Sequence, residues 1–311
     1  VELKPVIKGV ASYVPGLYSW RSRRMHLRTA NAEYCYSVWL RHLLLLSQTE
    51  GFTIPKTVAE LGPGGSLGVG LAALLSGADT YYALDIVKYS KIESNLDLLD
   101  GLVELFGNRT PVSTGYAGDS LQPPVFPHHI LTDELLAETL AESRLADIRR
   151  AIAAPDGRSG PITIEYTVPW SDPAVIRRHE VDLIVSYSVL EHVDDLPGTY
   201  DAFAQWLRPG GRMSHSVDFR SHFDTKAWNS HWQYSEPVWK LIVGKKPFLI
   251  NRQPYSVHIA EMKERGFEII REWQKRELGL PREALAARWR NVSEDDYTCI
   301  EAIIQARLPE S

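Results

Sequence analysis

Three groups of residues in this 311-residue chain combine types and spacings suited to chemistry. The first is Glu60-Leu61-Gly62-Pro63-Gly64, an apolar run that ends in an acid and opens into a glycine turn. Glycines there let the backbone turn tightly and approach a ligand with no Cβ in the way. The N–H groups of the helix that follows point at that ligand. An acid two residues before the first glycine repels a pyrophosphate and suits a cationic group. A dinucleotide fingerprint wants a third glycine three residues after the second; that position is Leu67, and Gly68 is out of register. The second group is Asp85, which ends the apolar run after Thr80. It lies about 20–25 residues beyond the turn, where a doubly wound fold holds ribose hydroxyls. The third group gathers at the carboxyl ends of two later strands: Ser186 to His192 after the buried run Leu183 to Val185, and His215, Ser216 and Asp218. A neutral histidine beside a carboxylate can take a proton from a hydroxyl. His215 assisted by Asp218 is the first candidate base, and His192 the second. Strand alternation puts His215 and Asp218 on opposite faces, so a direct pair needs a bend.

Glu60-x-Gly62-x-Gly64 resembles the first motif of the class I S-adenosylmethionine-dependent methyltransferases, and Leu190-Glu191-His192-Val193 resembles the fourth motif of their small-molecule members. The resemblance implies S-adenosylmethionine as cofactor, with its amino-acid end at Glu60, its ribose at Asp85 and its methionine part beside Ser188 and Leu190. His192 then lies near the acceptor, and Trp170 is placed to stack on the adenine. Arg208-Pro209-Gly210-Gly211 matches the superfamily's turn before the fifth strand. Trp228-Asn229-x-His231-Trp232-x-Tyr234-Ser235 and Asn251-Arg252-x-Pro254-x-Ser256 are similar to segments of a bacterial group within the superfamily. The superfamily resemblance covers about residues 55 to 275.

These residues need an α/β scaffold to position them. The pattern predicts a doubly wound, Rossmann-like, seven-stranded, mostly parallel sheet. Residues 1–55 form an N-terminal extension, irregular to about residue 30 and then helical to Ser47, covering the active site. Residues 56–311 form the catalytic domain. Helices are expected after Leu67, over Lys91 to Phe106, from Thr132 to about Ile152, over Tyr200 to Leu207 and over Ile259 to Arg265. His192 is expected to open a helix. The stretch from about 107 to 160 is longer than a βαβ crossover needs and reads as an inserted helical cap.

The acceptor side is expected among polar and aromatic residues. Tyr34 on the N-terminal helix, and Trp228, Asn229, His231 and Arg252, read as walls of a pocket for a polar small molecule or saccharide. The basic run Trp20 to Arg28 offers arginines that could grip a phosphate. His215, Asp218, His222 and His231 are suitable metal ligands, but they form no compact signature, and a hydroxyl network around the acceptor accounts for them without a metal. A formal charge of −5 argues against a non-specific nucleic-acid binder. Two distant cysteines, no membrane-spanning apolar run and no signal-peptide stretch point to a cytoplasmic protein. The leading expectation is O-methylation by in-line displacement. N- or C-methylation, a nicotinamide oxidoreductase and a non-catalytic S-adenosylmethionine-binding module are the alternatives.

Overall fold

The computed structural model describes residues 3–13, 31–112, 125–155, 160–222, 227–246 and 248–310. Seven strands form one sheet in the order β3-β2-β1-β4-β5-β7-β6. They are β1 (Thr57–Leu61), β2 (Thr80–Leu84), β3 (Thr163–Thr167), β4 (Val181–Tyr187), β5 (Leu207–Asp218), β6 (Glu268–Arg276) and β7 (Cys299–Arg307). The first five run parallel, and β7 is antiparallel to both β5 and β6. The strand order reverses between β1 and β4, which places a crevice at their carboxyl ends.

Strand alternation divides the core. Val58, Tyr81, Ala83, Leu183 and Val185 face one helical layer, whereas Ala59, Leu61, Tyr82, Leu84 and Ile184 face the other. In the N-terminal part, α1 (Lys4–Ala11) is followed by α2 (Ala32–Ser47). The first layer comprises α2, α3 (Gly68–Leu75), α4 (Ile92–Gly107), α5 (Asp133–Thr139) and α6 (Glu142–Ala153). The second includes α7 (Leu196–Trp206); the chain then continues through α8 (Glu236–Val243), α9 (Tyr255–Glu264) and α10 (Glu294–Thr298).

Helix α2 is buried from Cys35 to Leu46, as an apolar helix without a polar face must be. Its N-terminus is capped by Asn31, whose Oδ1 accepts from the Tyr34 N–H at 2.9 Å. The first thirty residues are not irregular throughout, since α1 packs on α8. Gly9 allows that contact; a Cβ there would stand 2.0 Å from the Leu241 carbonyl oxygen. The basic run from Trp20 to Arg28 lies outside the described residues.

The described helices of the expected cap insertion pack on the sheet. Leu136 of α5 and Leu145 and Ile148 of α6 join the core of α3 and α4. Arg144 donates to the carbonyls of Leu74 and Ala78 at 3.1 and 2.6 Å, near the amino end of β2. Their apolar stripes lie on the flank of the sheet, from Arg144 near the amino end of β2 to Pro155, whose carbonyl accepts the Tyr166 N–H of β3 at 3.2 Å. Among the described residues no helix is long and apolar enough to cross a membrane.

Candidate active site

Gly62 takes the chain out of β1 with φ of +71°, and its N–H donates to the Leu84 carbonyl at 2.8 Å. A Cβ at Gly62 would stand 2.5 Å from Val189 Cγ2, so the turn after β1 interlocks with the loop after β4. Gly64, with φ of +70°, donates its N–H to Asp85 Oδ2 at 3.0 Å. Asp85 Oδ1 accepts from the Ile86 N–H at 2.7 Å. These bonds hold the carboxylate at the end of β2, where a doubly wound fold meets a ribose.

Glu60 is buried, and its Oε2 accepts the Tyr81 hydroxyl at 2.5 Å. Burial pushes the Glu60 carboxyl up to about 8, against the Tyr81 hydrogen bond, with the charge of Asp85 adding to the rise. Tyr81 reaches Glu60 because in-register parallel pairing sets both on one face of the sheet. It also needs Gly70 in α3, where a Cβ would stand 2.1 Å from the Tyr81 ring. Two acids around a bare glycine turn fit a ligand with a cationic end and a ribose. Leu67, 2 % exposed, fills the place of a dinucleotide fingerprint's third glycine. Trp170 donates its N–H to the Asp85 carbonyl at 2.9 Å, and its ring packs edge-on against Trp206, so it borders this half of the crevice.

Beyond the glycine turn, the chain leaves β4 through Ser188, a left-handed residue with φ of +53° whose N–H donates to the Ser216 carbonyl at 2.9 Å. Leu190–His192 then makes a 3-10 turn, and α7 begins only at Leu196, so His192 does not open that helix. Asn251 clamps the turn. Its Nδ2 donates to the carbonyls of Leu190 and Val193, each at 2.8 Å, and its backbone N–H donates to the Glu191 carbonyl at 2.6 Å.

The clamp presents Glu191 and His192 to the end of β5. The His192 and His222 rings have centroids 4.9 Å apart, and His222 Nε2 lies 3.8 Å from Asp218 Oδ2. Arg220 donates Nε and Nη2 to Asp218, both at 2.8 Å. Burial opposes ionisation of Asp218, but hydrogen bonds from His222 and Arg220 hold its carboxyl well below the usual range. Burial lowers His192 to about 4, and the neighbouring His222 adds to the fall. Burial also pushes the Glu191 carboxyl well above its ordinary value. Tyr34 links the two halves. Its ring meets Tyr187 edge-on at 5.9 Å, and the charges of Glu60 and Glu191 both reach its hydroxyl. A cavity of about 240 Å³ opens beside Asn251, lined in part by Asp194, Trp239, Lys246, Phe248 and Gln253. Another, of about 220 Å³, lies near Phe52, Asp182 and Arg212 at the far end of β4, away from the crevice.

His215 does not join this site. It is 0 % exposed, stacks on Phe203 at 5.2 Å and shares a 2.8 Å hydrogen bond between Nδ1 and Ser186 Oγ. Strand alternation points it into the second helical layer, away from Asp218, and no bend brings the two together. The expected acceptor walls are also largely interior. Trp228 donates its ring N–H to the Glu277 carbonyl at 3.0 Å. Asn229, 0 % exposed, accepts the Leu280 N–H at 2.7 Å. Arg252 donates to the Tyr234 carbonyl at 3.0 Å and lies over the Trp239 and Trp289 rings at 4.4 and 5.5 Å. These contacts fasten loops together. His231 is buried too, but its pKa, lowered to about 3 by burial and by Arg252, also feels His222 and Asp218.

Glu191, Asn251 and Tyr81 are site residues to which the sequence reading gave no role, and His222 it named only as a possible metal ligand. Glu191 is the neighbour of His192 in the quoted motif, and Tyr81 shares a strand face with Glu60; these were the available signals. Glu191, His192 and His222 bring one ligand atom each within 4.8 Å of one another, a set that could hold a metal ion.

The model of one protein family, described as a methyltransferase domain, matches residues 75–272. Similar solved structures include an S-adenosylmethionine-dependent methyltransferase from Mesorhizobium loti, 16 % identical, covering 81 % of this chain and 90 % of that one with a TM-score of 0.38. A methyltransferase from Methanosarcina mazei is 13 % identical, with coverages of 84 % and 95 % and a TM-score of 0.43. An N-methyltransferase from Haemonchus contortus, in complex with phosphomonomethylethanolamine and S-adenosylhomocysteine, is 12 % identical, with coverages of 87 % and 53 % and a TM-score of 0.41. No curated protein matches the chain.

Proposed function

This chain belongs to the methyltransferase-domain family and is an S-adenosylmethionine-dependent methyltransferase; on that premise we propose that it methylates a hydroxyl oxygen of a polar small molecule. When bound, S-adenosylmethionine supplies an electrophilic methyl group on a sulfonium. Glu60 receives the cofactor's ammonium, Asp85 its ribose hydroxyls and Ser188 flanks its methionine part. The acceptor lies past Ser188, toward Asn251 and the cavity with Asp194, Lys246 and Gln253 among its lining residues.

The observation that carries O-methylation is the convergence of Glu191, His192, Asp218 and His222 at this end of the crevice. The cluster is rich in lone pairs, and its imidazoles suit removal of a hydroxyl proton. The acceptor oxygen forms its bond to the methyl carbon as the carbon–sulfur bond breaks. The bonding pair stays on sulfur, and the hydroxyl proton leaves to the cluster and then to water. Holding the two reactants at attack distance supplies most of the acceleration. Of the expected catalytic residues, the proposal uses Asp218 and His192 and leaves out His215.

The test is a panel of hydroxyl, amine and carbon acceptors, including sugars, with labelled S-adenosylmethionine and the product bond assigned by mass spectrometry. O-methylated product, with transfer at least tenfold slower in His192→Ala, supports the proposal. A product methylated on nitrogen or carbon refutes it.

A further inference from the structure

Among the described residues, Glu191 forms no ion pair with Lys or Arg. It is 3 % exposed, and among the described residues no side chain bonds Oε1 or Oε2; only the backbone N–H groups of Glu191 and Asp218 approach the carboxyl. Burying a carboxylate unpaired is costly, so such a group protonates or meets a cation. The nearby arginines are committed: Arg220 to Asp218 at 2.8 Å, and Arg41 to Glu301 at 3.0 Å. Two imidazoles flank Glu191. His192 Nδ1 is buried without a partner, and His222 projects from the loop after β5. The ligand atoms of all three lie within 4.8 Å of one another.

We propose that Glu191, His192 and His222 bind one divalent transition-metal ion that holds and activates the acceptor oxygen. The inference rests on the methyl-transfer reading and deepens it. Two imidazole nitrogens and one carboxylate oxygen suit manganese, iron, cobalt or zinc better than magnesium, which prefers an all-oxygen shell. Metal–nitrogen bonds of about 2.0–2.1 Å require the three donors to close around one point. His222, the exposed member of the set, has room to make that movement. Three protein ligands leave positions open for an acceptor hydroxyl, whose proton the ion makes easier to lose. With the ion in place, the histidines serve as ligands and the proton leaves to water.

Chelator-stripped protein should be titrated with Co²⁺, followed by calorimetry and by visible absorption, alongside Glu191→Gln and His222→Asn. S-adenosylhomocysteine binding is measured on the same samples. The proposal expects one Co²⁺ per chain, an absorption band of mixed nitrogen and oxygen ligation, and more than tenfold weaker binding in each variant. Affinity for S-adenosylhomocysteine should change less than threefold. His222 lies at the surface, so its variant stays folded even if the Glu191 variant does not. Wild-type protein that binds S-adenosylhomocysteine but no Co²⁺, or Co²⁺ binding unchanged in His222→Asn, overturns the metal site and leaves methyl transfer standing. Failure to bind S-adenosylhomocysteine itself brings down the reading beneath it. If Glu191→Gln weakens S-adenosylmethionine alone and no ion binds, the carboxylate answers the sulfonium and the site falls.

Discussion

The Tyr81 hydroxyl donates to Glu60 Oε2 at 2.5 Å, inside the sheet face that underlies the glycine turn. Glu60 is thus held next to Asp85, near Tyr34 and Cys35, with its carboxyl raised to about 8. The fold therefore favours protonated Glu60. Its contribution to stability is fully present below the unfolded carboxyl range and is lost as pH rises toward 8. The melting temperature of the ligand-free protein should fall across that window relative to Glu60→Gln. If the cofactor's ammonium meets Glu60, binding at pH 7 expels the carboxyl proton. Calorimetry of S-adenosylhomocysteine in buffers of different ionisation enthalpy should show proton release, absent in Glu60→Gln. Equal heats across buffers would contradict the contact.

Gly62 and Val189 make a second testable joint. Gly62→Ala places a Cβ 2.5 Å from Val189 Cγ2 and strains a backbone with φ of +71°. It should cost about 1–3 kcal/mol and weaken S-adenosylhomocysteine binding at least tenfold. Adding Val189→Ala should recover part of the stability, since it relieves the clash but not the backbone strain. No recovery in the double variant would show that the two loops do not interlock as described.

Acid should unfold this protein through its interior histidines. His42 and His215 are lowered to about 3 and His258 to about 4, each by burial first. A histidine depressed by folding contributes stability that is present above its unfolded pKa and lost as pH falls through about 6.5 toward the folded value. Each adds up to about 1.4 kcal/mol per pH unit to the slope of stability in that window. Urea titrations between pH 7 and 4.5 should show the loss, reduced in His215→Leu. Methyl transfer by that variant at pH 7.5 should stay within threefold of wild type; a hundredfold loss would return His215 to the catalytic set.

Asn251 and Arg252 should separate cleanly. Asn251 holds the turn that presents Glu191 and His192, whereas Arg252 lies over Trp239 and Trp289. Asn251→Ala should slow transfer more than tenfold while S-adenosylhomocysteine affinity is kept. Arg252→Lys should lower the melting temperature with an unchanged KM, because lysine cannot reproduce a planar guanidinium on an aromatic face. A raised acceptor KM in Arg252→Lys would restore Arg252 to the substrate wall.

These joints also show what the sequence could reveal. Strand periodicity, the glycine turn and the placement of Asp85 are local patterns, and they made the sheet and the turn beside Asp85 legible. Alternation along β5 already separated His215 from Asp218. What stayed hidden depends on contacts between distant segments. Asn251 meets Leu190 and Val193 across about sixty residues of chain, and Asn229 meets Leu280 across 51. A run of Trp, Asn, His and Arg reads the same whether it lines a pocket or locks loops together; burial alone separates the two. The helices of the 107–160 insertion carry clear apolar stripes, but a stripe does not say which surface it will cover.

The most direct test is calorimetric titration of the wild type, Glu60→Gln and Asp85→Ala with S-adenosylmethionine, S-adenosylhomocysteine and NADH. The account predicts one site for each sulfur nucleoside, more than tenfold weaker binding in Asp85→Ala, weaker binding in Glu60→Gln, and no binding of NADH. Folded wild-type protein that binds neither sulfur nucleoside, or that binds NADH in their place, would contradict it.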